Sequence, residues 1–209
     1  MAKDVRKDLK EARRRAMLDA AEALFLEKGF GRTSLSDIIR RSKGSRSTLY
    51  ENFGSKEGLL RTIIKEACAK AEKAIRQDDK PLFLTEESLV ELGMRFVEIA
   101  LTPMALAIFR IIAMERRLVP ELAEDFFETC IRPIRGQLIR RFQSAPEMER
   151  LSCSFDSVAD IFLGAILGDL HFRYSLGLAH ATPEEIETQI RNAVRIFLYG
   201  IGHIEAKAA

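Results

Sequence analysis

Residues 29–60 read GFGRTSLSDIIRRSKGSRSTLYENFGSKEGLL, and the fold turns on how this polar stretch is parsed. Ser34 stands three residues before Asp37 as a capping pair, and Leu35, Ile38 and Ile39 follow on one face, which predicts a short helix over 34–42. Lys43-Gly44 signals a turn, after which Ser45 can cap a helix of about two turns ending near Asn52. Ser55 then caps a longer helix that begins at Lys56 and runs to about Gln77. Two short helices joined by a tight, glycine-containing turn have the form of a helix-turn-helix, whose second helix enters the DNA major groove. The residue types on that second helix suit the task. Ser45, Arg46, Ser47 and Thr48 offer donors while letting the backbone approach phosphates and base edges, which bulky or acidic groups would prevent. Leu49 and Phe53, four apart, can pin its back to the first helix. An ordinary helical corner with polar exposed faces fits the same pattern.

Upstream, Met17, Ala20, Ala21, Leu24 and Phe25 recur at spacings of three and four, and Gly29 follows where a terminating glycine belongs, so 11–28 is read as that first helix. Charge is unevenly divided. The chain carries +2 overall, but residues 1–62 hold 15 Lys and Arg against 9 Asp and Glu, which leaves the remainder net acidic. A basic head on a mildly acidic body points the head toward a polyanion.

Composition narrows the classes further. With 209 residues, 47% of them hydrophobic, the chain can bury a sizeable core. Its longest apolar runs, such as IFLGAILG at 161–168, are too short to span a bilayer, and the first fifteen residues are charged where a signal peptide turns apolar. The expectation is a cytoplasmic protein with no membrane partner. Cys68, Cys130 and Cys153 are widely spaced with no CxxC pair, and read as small buried hydrophobes rather than zinc ligands or a redox centre. There is no glycine-rich phosphate loop, no HExxH, and no metal-spaced His-carboxylate cluster; Asp169 and His171, two apart, leave a helix in different directions. The sequence therefore argues against an enzyme and implies no cofactor and no metal.

Taken in register, Thr48-Leu49-Tyr50, Phe53, Ser55-Lys56-Glu57 and Leu59-Leu60, with Leu18-Asp19-Ala20-Ala21, Leu24-Phe25 and Glu27-Lys28-Gly29-Phe30 before them, resemble the DNA-binding signature of the tetracycline-repressor (TetR) family. The resemblance implies that Thr48 and Tyr50 meet backbone phosphates through their hydroxyls, that Lys56 does so at the start of the fourth helix, and that Ser34 or Ser36 does so from the second. Arg46 and Ser47 occupy base-reading positions, and Arg46 can pair with guanine O6 and N7 together. Ser45 and Asn52 complete the expected DNA-binding set. The turn departs from the family pattern. Ser42-Lys43-Gly44-Ser45 stands where a small residue, Gly, Val and Ser are usual, so glycine has moved one place along and displaced a core Val. Glu51 stands where an aromatic is common and can repel phosphate.

Beyond the head, PMALAIFRIIAMERRLVPELAEDFFETCIRPI (103–134) resembles a subgroup of regulators of efflux and stress genes. Asp78-Asp79-Lys80-Pro81, Thr102-Pro103, Val119-Pro120 and Ser144-Ala145-Pro146 are read as breaks between helices, and Pro133, inside a periodic run, is expected to kink its helix. SVADIFLGAILGDLHF (157–172) is apolar all round and is read as one helix covered on both sides. The last helix starts at a capping box, Thr182-Pro183-Glu184-Glu185, and becomes equally apolar toward Ile201. These two helices are expected to pair with a second copy in a four-helix bundle through Phe162, Ile166, Leu170, Val194, Phe197 and Ile201; a deep monomer core is the alternative.

The reading is an all-α chain. A helix-turn-helix DNA-binding domain with a basic arm (1–56) is joined through a long helix to a helical effector-binding and dimerisation domain (57–209). The leading function is a ligand-responsive repressor that binds a palindromic double-stranded operator as a homodimer and is released by a small hydrophobic effector. Phe96, Met104, Phe109, Ile112, Phe126, Phe127 and Cys130 are the candidate pocket residues, although an apolar stripe at helical spacing is equally the mark of an ordinary core. The alternatives are a DNA-binding regulator without a small-molecule effector, controlled by a partner protein or by abundance, and an enzyme or scaffold that retains a helix-turn-helix.

Overall fold

The structure is a computed structural model that describes residues 2–76, 84–114, 121–146, 148, 153–178 and 181–199. Every regular element among the described residues is helical. The first helix, α1, runs from Ala2 to Lys28 and so begins nine residues before the start expected at residue 11. Its opening turns are rich in Lys, Arg, Asp and Ala, residues that favour or tolerate helix. Then come α2 (Leu35–Ser42), α3 (Arg46–Phe53) and α4 (Lys56–Ile75), each opened by the serine expected to cap it: Ser34, Ser45 and Ser55 accept from the backbone N–H three residues on.

The second unit holds α5 (Glu86–Ala100), α6 (Pro103–Met114), α7 (Leu122–Phe126), a π-helical turn (Phe127–Ile131), α8 (Arg132–Gln143), α9 (Phe155–Leu167), α10 (Leu170–Ser175) and α11 (Pro183–Tyr199). Pro103 opens α6, where its missing N–H is harmless, and the chain bends by 61° between α5 and α6. Breaks expected at Pro81 and Pro120 lie outside the described residues. The disturbance expected at Pro133 takes the form of the π-helical turn: helix continues from Leu122 to Gln143, and the register change comes just before the residue that lacks a donor.

One element departs from the reading. The apolar stretch over 157–172 is not one helix, because α9 stops at Gly168, whose φ of 49° is left-handed, and α10 starts afresh at Leu170. Gln189 of α11 donates to the carbonyls of Ile166 (3.3 Å) and Leu167 (3.4 Å), satisfying the groups that the break exposes. The positive φ favours glycine at 168, and a Cβ there would lie 2.6 Å from the Gln189 amide nitrogen, so a larger residue would push that side chain off the two carbonyls.

Two apolar clusters hold the chain together. One is built on Leu89, Phe96, Leu138, Phe142, Phe162, Ile166 and Val194, with the rings of Phe142, Phe162 and Phe197 within 5.3–5.8 Å of one another. The other contains Met17, Leu18, Ile38, Leu49 and Phe53 of the head and Leu59, Leu60, Ile63 and Ile64 of α4, and it also takes in Ile108 and Ile111 of α6, Leu122 of α7 and Cys130 of the π turn. The head therefore has no core of its own that ends at residue 56. Arg61 of α4 adds ion pairs to Asp125 and to Glu121 (3.4 Å). Cys68 and Cys130 are buried side by side in this cluster, as expected of small hydrophobes, whereas Cys153 is exposed, contrary to that expectation; the hydrogen bond to Cys130, with burial, pushes the Cys68 thiol up. Among the described residues no single helix is long and apolar enough to cross a membrane, and no group of three or more His, Cys, Asp or Glu could hold a metal ion.

Candidate nucleic-acid interface

The two short helices are set against each other by the turn 42–45. Lys43 adopts φ 53° and ψ 29° and closes α2 in the left-handed conformation, a state that costs a non-glycine residue roughly 1 kcal/mol. Gly44 has a different role. A Cβ there would lie 2.2 Å from Met17 Cε, so the displaced glycine lets α1 pack directly under the turn while Lys43 bears the strain. Leu49 and Phe53 are buried against α1 and α4, which fixes the roll of α3.

That roll leaves Arg46, Ser47 and Tyr50 exposed on one side, with Ser36 of α2 also open to solvent. Arg46 makes no ion pair among the described residues, and its guanidinium is available for a guanine edge. Other expected contacts are engaged within the protein. The Ser45 hydroxyl accepts from the Thr48 N–H (3.2 Å) and lies 2.8 Å from the Thr48 hydroxyl. The Asn52 amide donates to the Thr48 carbonyl (2.6 Å), along its own helix. Ser34 closes a complete capping box with Asp37, its hydroxyl donating to the carboxylate at 2.8 Å.

Lys56 shows a role that sequence reasoning missed. Its ammonium donates to the carbonyls of Phe30 (2.9 Å) and Thr33 (3.0 Å) and sits 4.2 Å from the centre of the Phe30 ring. Two of its three protons thus tie the start of α4 to the α1–α2 connection, leaving one for a phosphate. The residues bound by this knot are distant in sequence, so only the Ser-Lys-Glu cap was legible.

Asp37 is a second such residue. Hydrogen bonds from Lys28 (2.7 Å) and from the Ser34 hydroxyl and N–H hold its carboxyl well below the usual carboxylate range. A depressed folded pKa means that the stabilisation is complete above the ordinary Asp value near about 4 and is lost as pH falls through the lower folded value. Asp37→Asn is therefore expected to lower the melting temperature at pH 7. The gap from wild type should close as pH is taken below about 4, which thermal melts across pH 2–7 would read.

Residues 17–63 match the family of bacterial regulatory proteins described as tetR, and residues 87–200 match the C-terminal domain of AefR-like transcriptional repressors. The chain belongs to the TetR family. It is a DNA-binding transcriptional regulator with an AefR-like C-terminal domain, not an enzyme. The A-factor receptor protein of Streptomyces griseus is 35% identical over 82 residues, 39% of this chain but only 28% of that protein. A solved putative TetR-family regulator from Mesorhizobium loti superposes with a TM-score of 0.79 at 20% identity, covering 90% of this chain and 96% of its own, a likeness of fold. The flavonoid-responsive regulator FrrA superposes at 0.69 with 28% identity, covering 89% and 95%.

In this TetR-family chain the residues expected at the subunit contact turn inward. Phe162, Ile166, Leu170 and Val194 are buried in the protomer's own core, so these four offer no free face to a partner, whereas Phe197 packs against the same ring cluster but is only partly buried. Ile201 lies outside the described residues. Because α9 carries large apolar side chains on every side, periodicity could not decide which side of it the protomer keeps; α11 is apolar on its inner face and toward its end, with Glu, Arg, Thr and Asn elsewhere. The outward side carries the exposed Ile161 of α9, and beside it a groove of about 780 Å³ lies between Ala165 of α9 with Gly168 just past its end and Thr188, Asn192 and Ile196 of α11.

The seven candidate pocket residues do not converge. Phe96 belongs to one cluster, while Met104, Ile112, Phe126 and Cys130 pack in or against the other. Phe109 and Phe127 are open to solvent, Phe109 with its ring edge-on to His171 at 4.6 Å.

Proposed function

We propose that this chain is a ligand-responsive repressor that binds a palindromic operator as a dimer and is released when a small hydrophobic effector alters the spacing of its two heads. The observation that supports this reading is the apolar cluster running without interruption from Leu49 and Phe53 under α3, along α4, to Ile108, Ile111, Leu122 and Cys130. A displacement of α6 or of the π turn cannot leave α3 where it was, because close-packed interiors transmit strain rather than absorb it. Two recognition helices must sit roughly 34–36 Å apart to enter successive major grooves, so a shift of a few ångströms is enough. A coupling of about 3 kcal/mol would lower operator affinity on the order of a hundredfold. FrrA, 28% identical, is a flavonoid-responsive regulator, which is consistent with effector control.

A regulator without an effector is the second reading, favoured by the scatter of the candidate pocket residues over two clusters. One series of titrations addresses both. Operator fragments are selected from genomic DNA and their affinity is compared with that of a random duplex, for wild type, Arg46→Ala and Tyr50→Phe, each with and without compounds that raise the melting temperature. Arg46→Ala is expected to narrow the operator-to-random ratio by about 1–3 kcal/mol, whereas Tyr50→Phe weakens both duplexes alike. Stabilising compounds should release the operator; if they leave its affinity unchanged, the effector-free reading stands.

A further inference from the structure

The cavity between the end of α1, the following loop and α6 has a volume of about 380 Å³ and is walled by Phe25 to Arg32 on one side and by Ala107, Arg110 and Ile111 on the other. We propose that this groove binds a small amphipathic monoanion, a carboxylate on a short apolar body, with the carboxylate on Arg110. Its volume lies at the small end of the range for ligand sites. The apolar part would rest on Leu26, Ala107 and Ile111, of which Leu26 is exposed.

Charge decides the sign of the occupant. Of the ionisable groups in the walls, Glu27 is paired with Arg41 at 2.6 Å and Lys28 with Asp37 at 2.7 Å. The Arg32 Nε donates to the Lys28 carbonyl at 2.8 Å. Arg110, half-buried, has no ion pair or hydrogen bond among the described residues. A guanidinium partly withdrawn from water and left without an acceptor favours a planar anion that can take two of its donors. A neutral ligand would leave that demand unmet, and a cation would be repelled.

The position of the groove gives the occupant leverage. One wall belongs to the head, where Lys28 is tied to the α2 cap through Asp37; the other belongs to the second unit. A molecule lodged between them binds different head positions unequally, which is the condition for shifting the equilibrium between them. This consequence rests on the effector-responsive reading above; the binding itself does not.

Isothermal titration of the full-length protein with octanoate tests the site, with octanol (same chain, no charge) and acetate (same charge, no chain) as controls. Wild type is expected to bind octanoate at least tenfold more tightly than either control. Arg110→Gln, and independently Leu26→Glu at an exposed wall position, should each weaken octanoate at least tenfold while leaving the circular dichroism spectrum unchanged. Octanol binding as tightly as octanoate, octanoate affinity indifferent to both substitutions, or no octanoate heat at all would overturn the proposal. Repeating operator titrations with octanoate bound separates the two readings: binding that leaves operator affinity unchanged supports the site and refutes release through it.

Discussion

Ile161→Glu should yield a folded monomer, whereas Phe162→Ala, one residue further along α9, should unfold far more readily without exposing a new charge. The two side chains differ in which way they face. Ile161 is 59% exposed on the outward side of α9, while Phe162 is fully buried between the rings of Phe142 and Phe197. Truncating a buried phenylalanine removes its transfer energy and leaves a cavity, about 3–5 kcal/mol in all. The outward stripe, by contrast, would meet its own copy across a two-fold axis, so each glutamate is counted twice. At about 1–3 kcal/mol for every unpaired polar group buried, the dimer should weaken on the order of a hundredfold or more, and operator affinity with it. Sedimentation and denaturant midpoints read the two effects separately. Ile161→Glu protein that remains dimeric at micromolar concentration would place the subunit contact elsewhere.

Lys56→Ala should both destabilise the protein and weaken DNA binding. Losing two charge-assisted hydrogen bonds and the contact with the Phe30 ring costs about 2–4 kcal/mol, and the carbonyls of Phe30 and Thr33 are left without their donor. Since the same ammonium holds the α1–α2 connection against α4, the loss of affinity should apply to operator and random duplex alike. An unchanged unfolding midpoint with weakened binding would reduce Lys56 to a phosphate contact alone.

Local rules carried the head well. Ser34, Ser45 and Ser55 each cap the helix they were expected to cap, because capping is settled within four residues of chain. The turn was legible only in part: a glycine at 44 suggests a left-handed residue, yet Lys43 takes that conformation and Gly44 makes room for Met17, a contact 27 positions away. In the second unit the information thins. α9 reads as continuous because the side chain that stabilises its break, Gln189, arrives from another helix. The outward and inward sides of α9 are both apolar, and only packing against its neighbours chooses between Ile161 and Phe162.

The apolar cluster shared by α1, α3, α4, α6, α7 and the π turn bears on how such regulators can be recombined. A chimera cut at residue 56, grafting this reading head onto another effector unit, would sever the cluster beneath the recognition helix: Leu59, Leu60, Ile63 and Ile64 would stay behind, and Met17, Leu18, Leu49 and Phe53 would meet side chains chosen for a different neighbour. The exchangeable piece is instead the head together with the surfaces of α6, α7 and the π turn that complete it. Any transplant of specificity by whole segments must carry Ile108, Ile111, Leu122 and Cys130 along, whereas specificity altered at Arg46 and Ser47 alone leaves that cluster intact.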